Sequence, residues 1–386
     1  MGDIIIQSQQ DFDAKYLTPT NAKEIVDFFS PKDLKIAAPS GFKKRKIQPI
    51  GSPSSSGGDT LVFQVANSGM LSDAFLEIGI AATSGGNYAA NVGLGYPSRV
   101  RLLHSGQELC NYEYSAVTQV KLGRMPVEQS ARIYTAAGGA AAATAKRVYC
   151  PLWLPGGSIG HSRGDQTTPL PLFMSSEALQ LEIDVRTVAN LLASGGSGSS
   201  ITSVKLVYYE LNVSDEEKQR IKSQPWKMYY EDMVTLSQTS IATSTLTTLD
   251  ISGFKNSIKS LAFPCVTVAN QDTNHTYVLN TNYDSAELLA DGIRLWYSEY
   301  ANETIFEELL LNRSKTGSDA VLGKCQEISF NKIFSQDVYS GALNTSPIKK
   351  LEFAVTQSQG ANIYVKPTAV RNCFIVYQDN GFKRIL

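Results

Sequence analysis

Leu179–Val185 alternates without a fault: Leu179, Leu181, Ile183 and Val185 fall on one face, Gln180, Glu182 and Asp184 on the other. A period of two is what a strand requires when one face packs on a core and the other meets water. Leu351, Phe353 and Val355 repeat it far downstream, with Glu352 turned outward. Other strand candidates in the first half are 60–66, 74–82, 99–104, 108–112, 147–154 and 203–213. The pair 99–104 and 108–112 flanks Ser105-Gly106, a tight-turn signal for a hairpin. With Leu179–Val185 these make seven strands, one short of an eight-stranded jelly roll. The second half offers 228–241, 245–251, 258–269, 292–298, 327–332, 350–355, 362–365 and 371–378, with 303–311 ambiguous between helix and strand.

Helical patterns are few. Thr18-Pro19 is a helix start, and Ala22, Ile25, Val26 and Phe29 then share a face opposite Lys23, Glu24 and Asp27. That amphipathic face suits docking on its own domain, a neighbouring subunit or a membrane surface. Residues 114–122 suit a short helix. Ser214 with Glu217 forms a capping box, and Pro225 follows the helix it opens. Stretches 52–59, 136–145, 156–168 and 194–200 are loops by composition. The resulting division is an arm over 1–45, a first β-unit over 46–213, a helical linker over 214–225 and a second β-unit over 226–386.

The halves echo each other. Val100–Leu109 faces Ile293–Glu299, with Arg101 against Arg294 and Leu102 against Leu295. Leu179–Val185 answers 349–355, and 204–212 answers 370–378, each the final strand of its half. Three matches in order predict a duplicated sandwich, and the prediction fails if the two strand orders differ. Such a block has two similar lobes, so three copies around an axis present six.

Composition changes this picture little. The 386 residues are long enough for two domains, and only 18% are charged, with a formal net charge of −1. That balance argues against a chain that wraps nucleic acid throughout and gives little repulsion between copies. Lys43, Lys44, Arg45 and Lys46 form the one dense basic run, which suits a solvated junction, an import signal or a phosphate contact. The five cysteines are scattered without a CxxC pair, which opposes a disulfide framework or a zinc knuckle. No secretory signal, strongly apolar 18-residue run or complete myristoylation motif is present. Sequons at Asn212, Asn274, Asn302, Asn312 and Asn344 then reflect Asn- and Thr-rich loops.

Candidate chemistry is thin. His104, His161 and His275 have no metal-ligand spacing, and the sequence yields no catalytic, cofactor or metal residues. Gly93-Leu94-Gly95 runs into Tyr96-Pro97 and lacks the helix a dinucleotide fingerprint needs. Glu108 with Glu113, or Glu307 with Glu308, could pair for glycoside hydrolysis, though solvated surface acids are the simpler account. Aromatics at 226–230 and 296–300 could stack sugars or bases, or pack in a core or subunit interface.

One resemblance joins these features. Residues 149–154, a strand ending in Pro151-Leu152, precede a loop; Leu170-Pro171-Leu172 then leads into the strand 179–185. This layout, with the hairpin at Gly106-Gln107-Glu108, resembles the double jelly-roll major capsid proteins of tailless phages, adenoviruses, polinton-like elements and large DNA viruses. The resemblance spans about residues 60–378, and the departure at Met174–Ala178 leaves the branch open. It implies an all-β chain of two consecutive eight-stranded jelly rolls with a short N-terminal helix and a helical linker. It further implies a virion protein made inside the host cell. Homotrimeric, pseudo-hexagonal capsomers would tile an icosahedral shell, meeting penton or minor cement proteins, with an interior-facing N-terminal segment and a lipid membrane admitted beneath. No enzyme activity and no sequence-specific nucleic acid are expected. The alternative is a two-sandwich glycan-binding module or carbohydrate-active enzyme.

Overall fold

The structure is a computed structural model that describes residues 41–125, 127–157, 169–193, 197–243, 245–267, 277–278, 283–299, 325–330, 342–357, 362–378 and 380–385. In the first half the strands are β1 (Gly41–Ile47), β2 (Thr60–Val65), β3 (Met70–Ile80), β4 (Pro97–His104), β5 (Gln107–Glu113), β6 (Lys146–Leu152), β7 (Leu170–Pro171), β8 (Leu179–Val185) and β9 (Ile201–Asn212). They form two antiparallel sheets, one in the order β1-β9-β3-β6 with β7 beside β3, the other β2-β8-β4-β5. The alternation of β8 is realised in full: Leu179, Leu181, Ile183 and Val185 are buried, and the residues between them are half-buried. Outward-facing Asp184 accepts a 2.6 Å hydrogen bond from Thr60 of β2.

The eighth strand absent from the sequence count is β1. The basic run therefore forms an edge strand, registered along β9 from Gly41 opposite Asn212 to Ile47 opposite Leu206. The expected division at 45/46 falls inside that strand. Polar Lys43–Lys46 carries no apolar alternation, so periodicity could not mark it, whereas backbone pairing does not depend on side-chain polarity. Charged residues on an exposed edge also discourage further strand addition.

The second half contains β10 (Lys227–Thr235), β11 (Thr239–Ile241), β12 (Thr245–Asp250), β13 (Ser257–Thr267), β14 (Tyr277–Val278), β15 (Tyr283–Ala290), β16 (Ile293–Ser298), β17 (Cys325–Ser329), β18 (Leu343–Asn344), β19 (Leu351–Gln357), β20 (Ile363–Val365), β21 (Thr368–Gln378) and β22 (Gly381–Ile385). One sheet runs β12-β19-β15-β16; in the other, β10, β21 and β13 lie side by side and β17 also pairs with β13. The strand orders match: β1-β9-β3-β6 corresponds to β10-β21-β13-β17, and β2-β8-β4-β5 to β12-β19-β15-β16. Duplication passes its own topological test. The candidate 228–241 divides into β10 and β11, and β22 follows β21, so 370–378 is not the last strand of its half.

Two of the three echoes join true counterparts, β8 with β19 and β9 with β21. The other is corrected. The counterpart of β16 is β5, and that of β4 is β15. Arg101 and Arg294 are accordingly unrelated: Arg101 pairs with Glu182 at 3.1 Å, Arg294 with Glu287 at 2.8 Å. Adjacent strands of a hairpin draw on one residue alphabet, so a short match cannot separate them.

The true correspondence lies in geometry. Ser105 and Gly106 have φ of 50° and 76°, and Asp291 and Gly292 have 49° and 81°. Both pairs thus make the left-handed two-residue turn whose twist suits a hairpin. Each hairpin then carries a bulge at the same place. Leu102 pairs with Cys110 and Leu103 with Glu108, passing over Leu109. Leu288 pairs with Trp296 and Leu289 with Arg294, passing over Leu295.

Four α-helices complete the described residues: α1 (Val92–Gly95), α2 (Tyr114–Arg124), α3 (Val127–Ala136) and α4 (Asp215–Lys222). The single turn of α1 contains Gly93-Leu94-Gly95 and ends there, with β4 beginning at Pro97, so no helix opens after the glycines. The stretch read as loop over 136–145 meets α3 only at Ala136. In α4 the Ser214 hydroxyl accepts from the Glu217 amide at 3.3 Å, as the capping box requires, while the Glu217 carboxylate turns to Arg220. The helix expected over 18–29, with Ile25, Val26 and Phe29, lies outside the described residues, as does 303–311. The core of the first sandwich continues into Trp226, Met228, Val370, Ile375 and Phe382 of the second half, whereas a separate core lies between the second pair of sheets.

Candidate functional site: the seam between the sandwiches

The seam is built by β5 and the helix α2 that follows it. Strand β5 lies against β10 and β22, and α2 lies against β10, β13 and β17. Almost every residue of α2 is buried, including Lys121 and Arg124 in its last turn. Arg124 is 2% exposed and reaches into the second sandwich. Its guanidinium donates to Glu231 Oε2 at 2.9 Å, to Ser260 Oγ at 2.9 Å and to Glu327 Oε2 at 3.2 Å. Lys259 Nζ meets the other Glu231 oxygen at 2.5 Å, and Ser260 donates to Glu327 at 2.5 Å. Lys121 stands further off, 3.8 Å from Glu231.

The electrostatics follow from burial and a surplus cation. Burial alone would push the Glu231 carboxyl up; Arg124, Lys259 and Lys121 outweigh it and hold that group well below the usual carboxylate range. Burial would lower Arg124, and Glu327 and Glu231 reverse this. Burial brings the Lys121 ammonium down to about 8, with Arg124 and Lys259 adding to the effect and Glu231 opposing it. Sequence reading missed this cluster. Its visible signal was Lys121 and Arg124, three apart in an otherwise uncharged helical stretch; their acidic partners lie more than a hundred residues away.

A second contact sits at the other end of the seam. His104 Nε2 lies 2.5 Å from Ser175 Oγ, and its Nδ1 accepts from the Phe382 amide at 3.3 Å. The imidazole is thus neutral and protonated on Nε2. It packs edge-on to Phe382, which also meets Trp226 and Tyr377 edge-on. Burial lowers the His104 pKa, opposed by Glu177. The Tyr377 hydroxyl donates to the Met174 carbonyl at 2.5 Å.

The remaining sequence candidates sort by position. Glu108 lies 3.5 Å from Arg384, and Glu113 pairs with Lys366, so both acids bind cations of the second half. Trp226 and Met228 are buried in the seam. In the basic run, Arg45 pairs with Glu210 at 2.8 Å and Lys46 with Glu77 at 2.7 Å, while Lys43 and Lys44 are exposed. Cys110, Cys150, Cys265 and Cys373 are buried free thiols, each pushed up to about 12 by burial. His161, His275, Glu307 and Glu308 lie outside the described residues. Among those described, no group of His, Cys, Asp and Glu is placed to hold a metal ion, and no helix is long and apolar enough to cross a membrane.

No protein-family model and no curated protein sequence matches the chain. Solved structures do. The PBCV-1 protein fitted into a reconstruction of the virophage Sputnik is 14% identical with a TM-score of 0.69, over 90% of this chain and 97% of that one. The Faustovirus major capsid protein is 12% identical with a TM-score of 0.58, over 88% of this chain and 91% of that one. The mavirus major capsid protein is 10% identical with a TM-score of 0.56, over 89% and 90%. Identity so low speaks to architecture alone, and that architecture agrees with the matched strand orders over the 88–90% of the chain that is covered: this chain has the double jelly-roll fold of viral major capsid proteins.

Proposed function

We propose that the chain is a viral major capsid protein whose work is assembly. Three copies close into a pseudo-hexagonal capsomer, and capsomers tile an icosahedral shell. The observation that carries this reading is the duplication itself: two sandwiches that share one order of eight strands, the second with further strands added to its larger sheet, joined by a buried seam. That joint makes the protomer a rigid bilobed block, so a threefold ring presents six similar lobes. The likeness to capsid proteins over nine-tenths of the chain supports the same reading. The packing of Trp226 and the cation-bound Glu108 and Glu113 favour it over sugar binding.

In this reading the first β-unit and the second are separate domains joined by the helical segment 214–225, and residues before β1 form an arm. The arm carries Ile25, Val26 and Phe29 to the shell interior, where they meet neighbouring capsomers or a lipid layer. Lys43 and Lys44 offer a contact for anionic groups. Penton or minor cement proteins complete the partners. Native mass spectrometry of the purified protein tests the core of the proposal: a trimer is expected, and a strict monomer at high concentration overturns it. Lipid co-flotation of the full chain and of a chain lacking residues 1–30 tests the arm, with loss of flotation expected on truncation.

A further inference from the structure

The second half ends on a strand that the first half lacks. Strand β22 pairs along β21 from Phe374 opposite Ile385 to Gln378 opposite Gly381. Its first-half equivalent would lie beside β9, which among the described residues has only β1 and β3 for neighbours and runs on toward α4. Strand β22 is therefore an addition to the duplicated plan, and it crosses to the first sandwich. Phe382 is 1% exposed and packs in the first core, edge-on to His104 at 5.4 Å, Tyr377 at 5.3 Å and Trp226 at 5.6 Å. Arg384 reaches Glu108 of β5 at 3.5 Å and Asp232 of β10 at 3.4 Å.

The backbone of this strand is held by a group that titrates. His104, 2% exposed at the end of β4, accepts the Phe382 amide on Nδ1 at 3.3 Å and turns Nε2–H to Ser175. The ring lies directly against the strand: a Cβ added at Gly381 would stand 3.3 Å from its Cε1 and 3.4 Å from its Nδ1. A second proton on the imidazole goes to Nδ1, where it sets one N–H against another and leaves a charge among aromatic rings away from water. The surrounding groups compensate little. Glu177 faces the ring and favours its charged form, but that carboxylate already accepts from Ser105 at 2.6 Å. Arg384 is turned to Glu108 and Asp232, Lys383 falls on the other face of β22, and Tyr377 and Trp226 carry no charge at neutral or acid pH. The Arg124 end of the seam keeps its charges over the same range. Glu231 is held well below the usual carboxylate range, and Lys121, at about 8, is charged at pH 7 and below.

We propose that β22 is a strap that shuts its end of the seam at neutral pH and is released in acid, with His104 as its catch. Release puts the imidazole in water, where it takes up a proton freely, and protonation draws the opening equilibrium forward. With the ordinary histidine value of about 6.5 in the released state, the open fraction rises at most about 25-fold between pH 7 and pH 5. The lobes stay joined through the Arg124 cluster, so the opening is local. All of these contacts lie within one chain, and the strap does not depend on the capsomer reading.

Hydrogen exchange of the full chain, read by mass spectrometry and corrected for the intrinsic effect of pH, tests the strap. From pH 7 to pH 5 the C-terminal peptide containing residues 381–385 exchanges roughly ten- to twenty-fivefold faster, while peptides from β3 and β8 keep their protection. His104→Asn, whose amide oxygen takes the Nδ1 position, and His104→Gln both lack a titrating ring. In whichever of them melts cooperatively, the ratio between the two pH values falls to about one. A C-terminal peptide that does not accelerate in the unaltered chain overturns the strap, as does an equal acceleration in β3 and β8, which reports global unfolding. An acceleration that persists in a folded histidine variant overturns the role of His104.

Discussion

Arg124 and Lys121 sit one helical turn apart and have opposite energetic roles. Arg124 has every donor group of its fork facing oxygen from the second sandwich, so its removal takes the guanidinium from two buried carboxylates, of which Glu231 keeps Lys259 and Glu327 keeps the Ser260 hydroxyl. Replacing it by Met is expected to cost about 3 kcal/mol or more, measured by denaturant unfolding. Lys121 is the surplus charge of a cluster whose acids are already matched by Arg124 and Lys259. Its ammonium is lowered from 10.5 to about 8 by burial, so the charged form is penalised in the folded state wherever the pH lies below 8. The unfolded chain binds the extra proton between those two values, and stability from this group therefore rises with pH across that window. Lys121→Met is expected to stabilise the protein at pH 7 by about 1 kcal/mol, and thermal melts should show the gain shrinking as the pH climbs past 8. His104 gives the acidic counterpart. Its folded pKa lies below its ordinary 6.5, so the contribution of the neutral ring is present above that value and lost as the pH falls through the folded one. Acidifying from pH 7 to pH 5 should lower the melting temperature, and His104→Gln should remove part of that drop. The polar identities of these residues are plain in the sequence. Their burial is not, because burial is conferred by strands more than a hundred positions away.

At the scale of elements, the strands with one wet face declared themselves. Strand β8 is central in its sheet, and its alternating residues are buried on one side, so Leu181→Ala is expected to cost 2–5 kcal/mol in chemical denaturation. Strand β1 is the opposite case, held in place by pairing with β9 and by ion pairs from Arg45 and Lys46, with no apolar stripe to advertise it. The hairpin turns were half legible. Ser105-Gly106 stood out, whereas Asp291-Gly292 and the bulges at Leu109 and Leu295 appear only in the pairing of strands. A bulge is a relation between two strands, and its position is set by partner register, not by the residue that is bulged.

For the molecule as a whole, the consequence of the seam is mechanical. A core that runs from the first sandwich into Trp226, Met228 and Phe382, together with the Arg124 cluster, ties the two lobes into one block. Calorimetry should show a single transition for the unaltered chain, and Arg124→Met should split it as the lobes uncouple. The amino-acid order alone determined the all-β character, the repetition of a jelly roll and the helical segment between the repeats. These depend on local periodicity and turn chemistry, which every strand carries in its own residues. Tertiary structure alone decided that a lysine-rich stretch completes the first sandwich, which hairpin matches which, and that two cations of an unremarkable helix lie buried at the joint. It also decided that Leu109 is sealed and Leu295 bare. Those outcomes depend on what the other half of the chain places opposite a residue, and no local pattern encodes a neighbour.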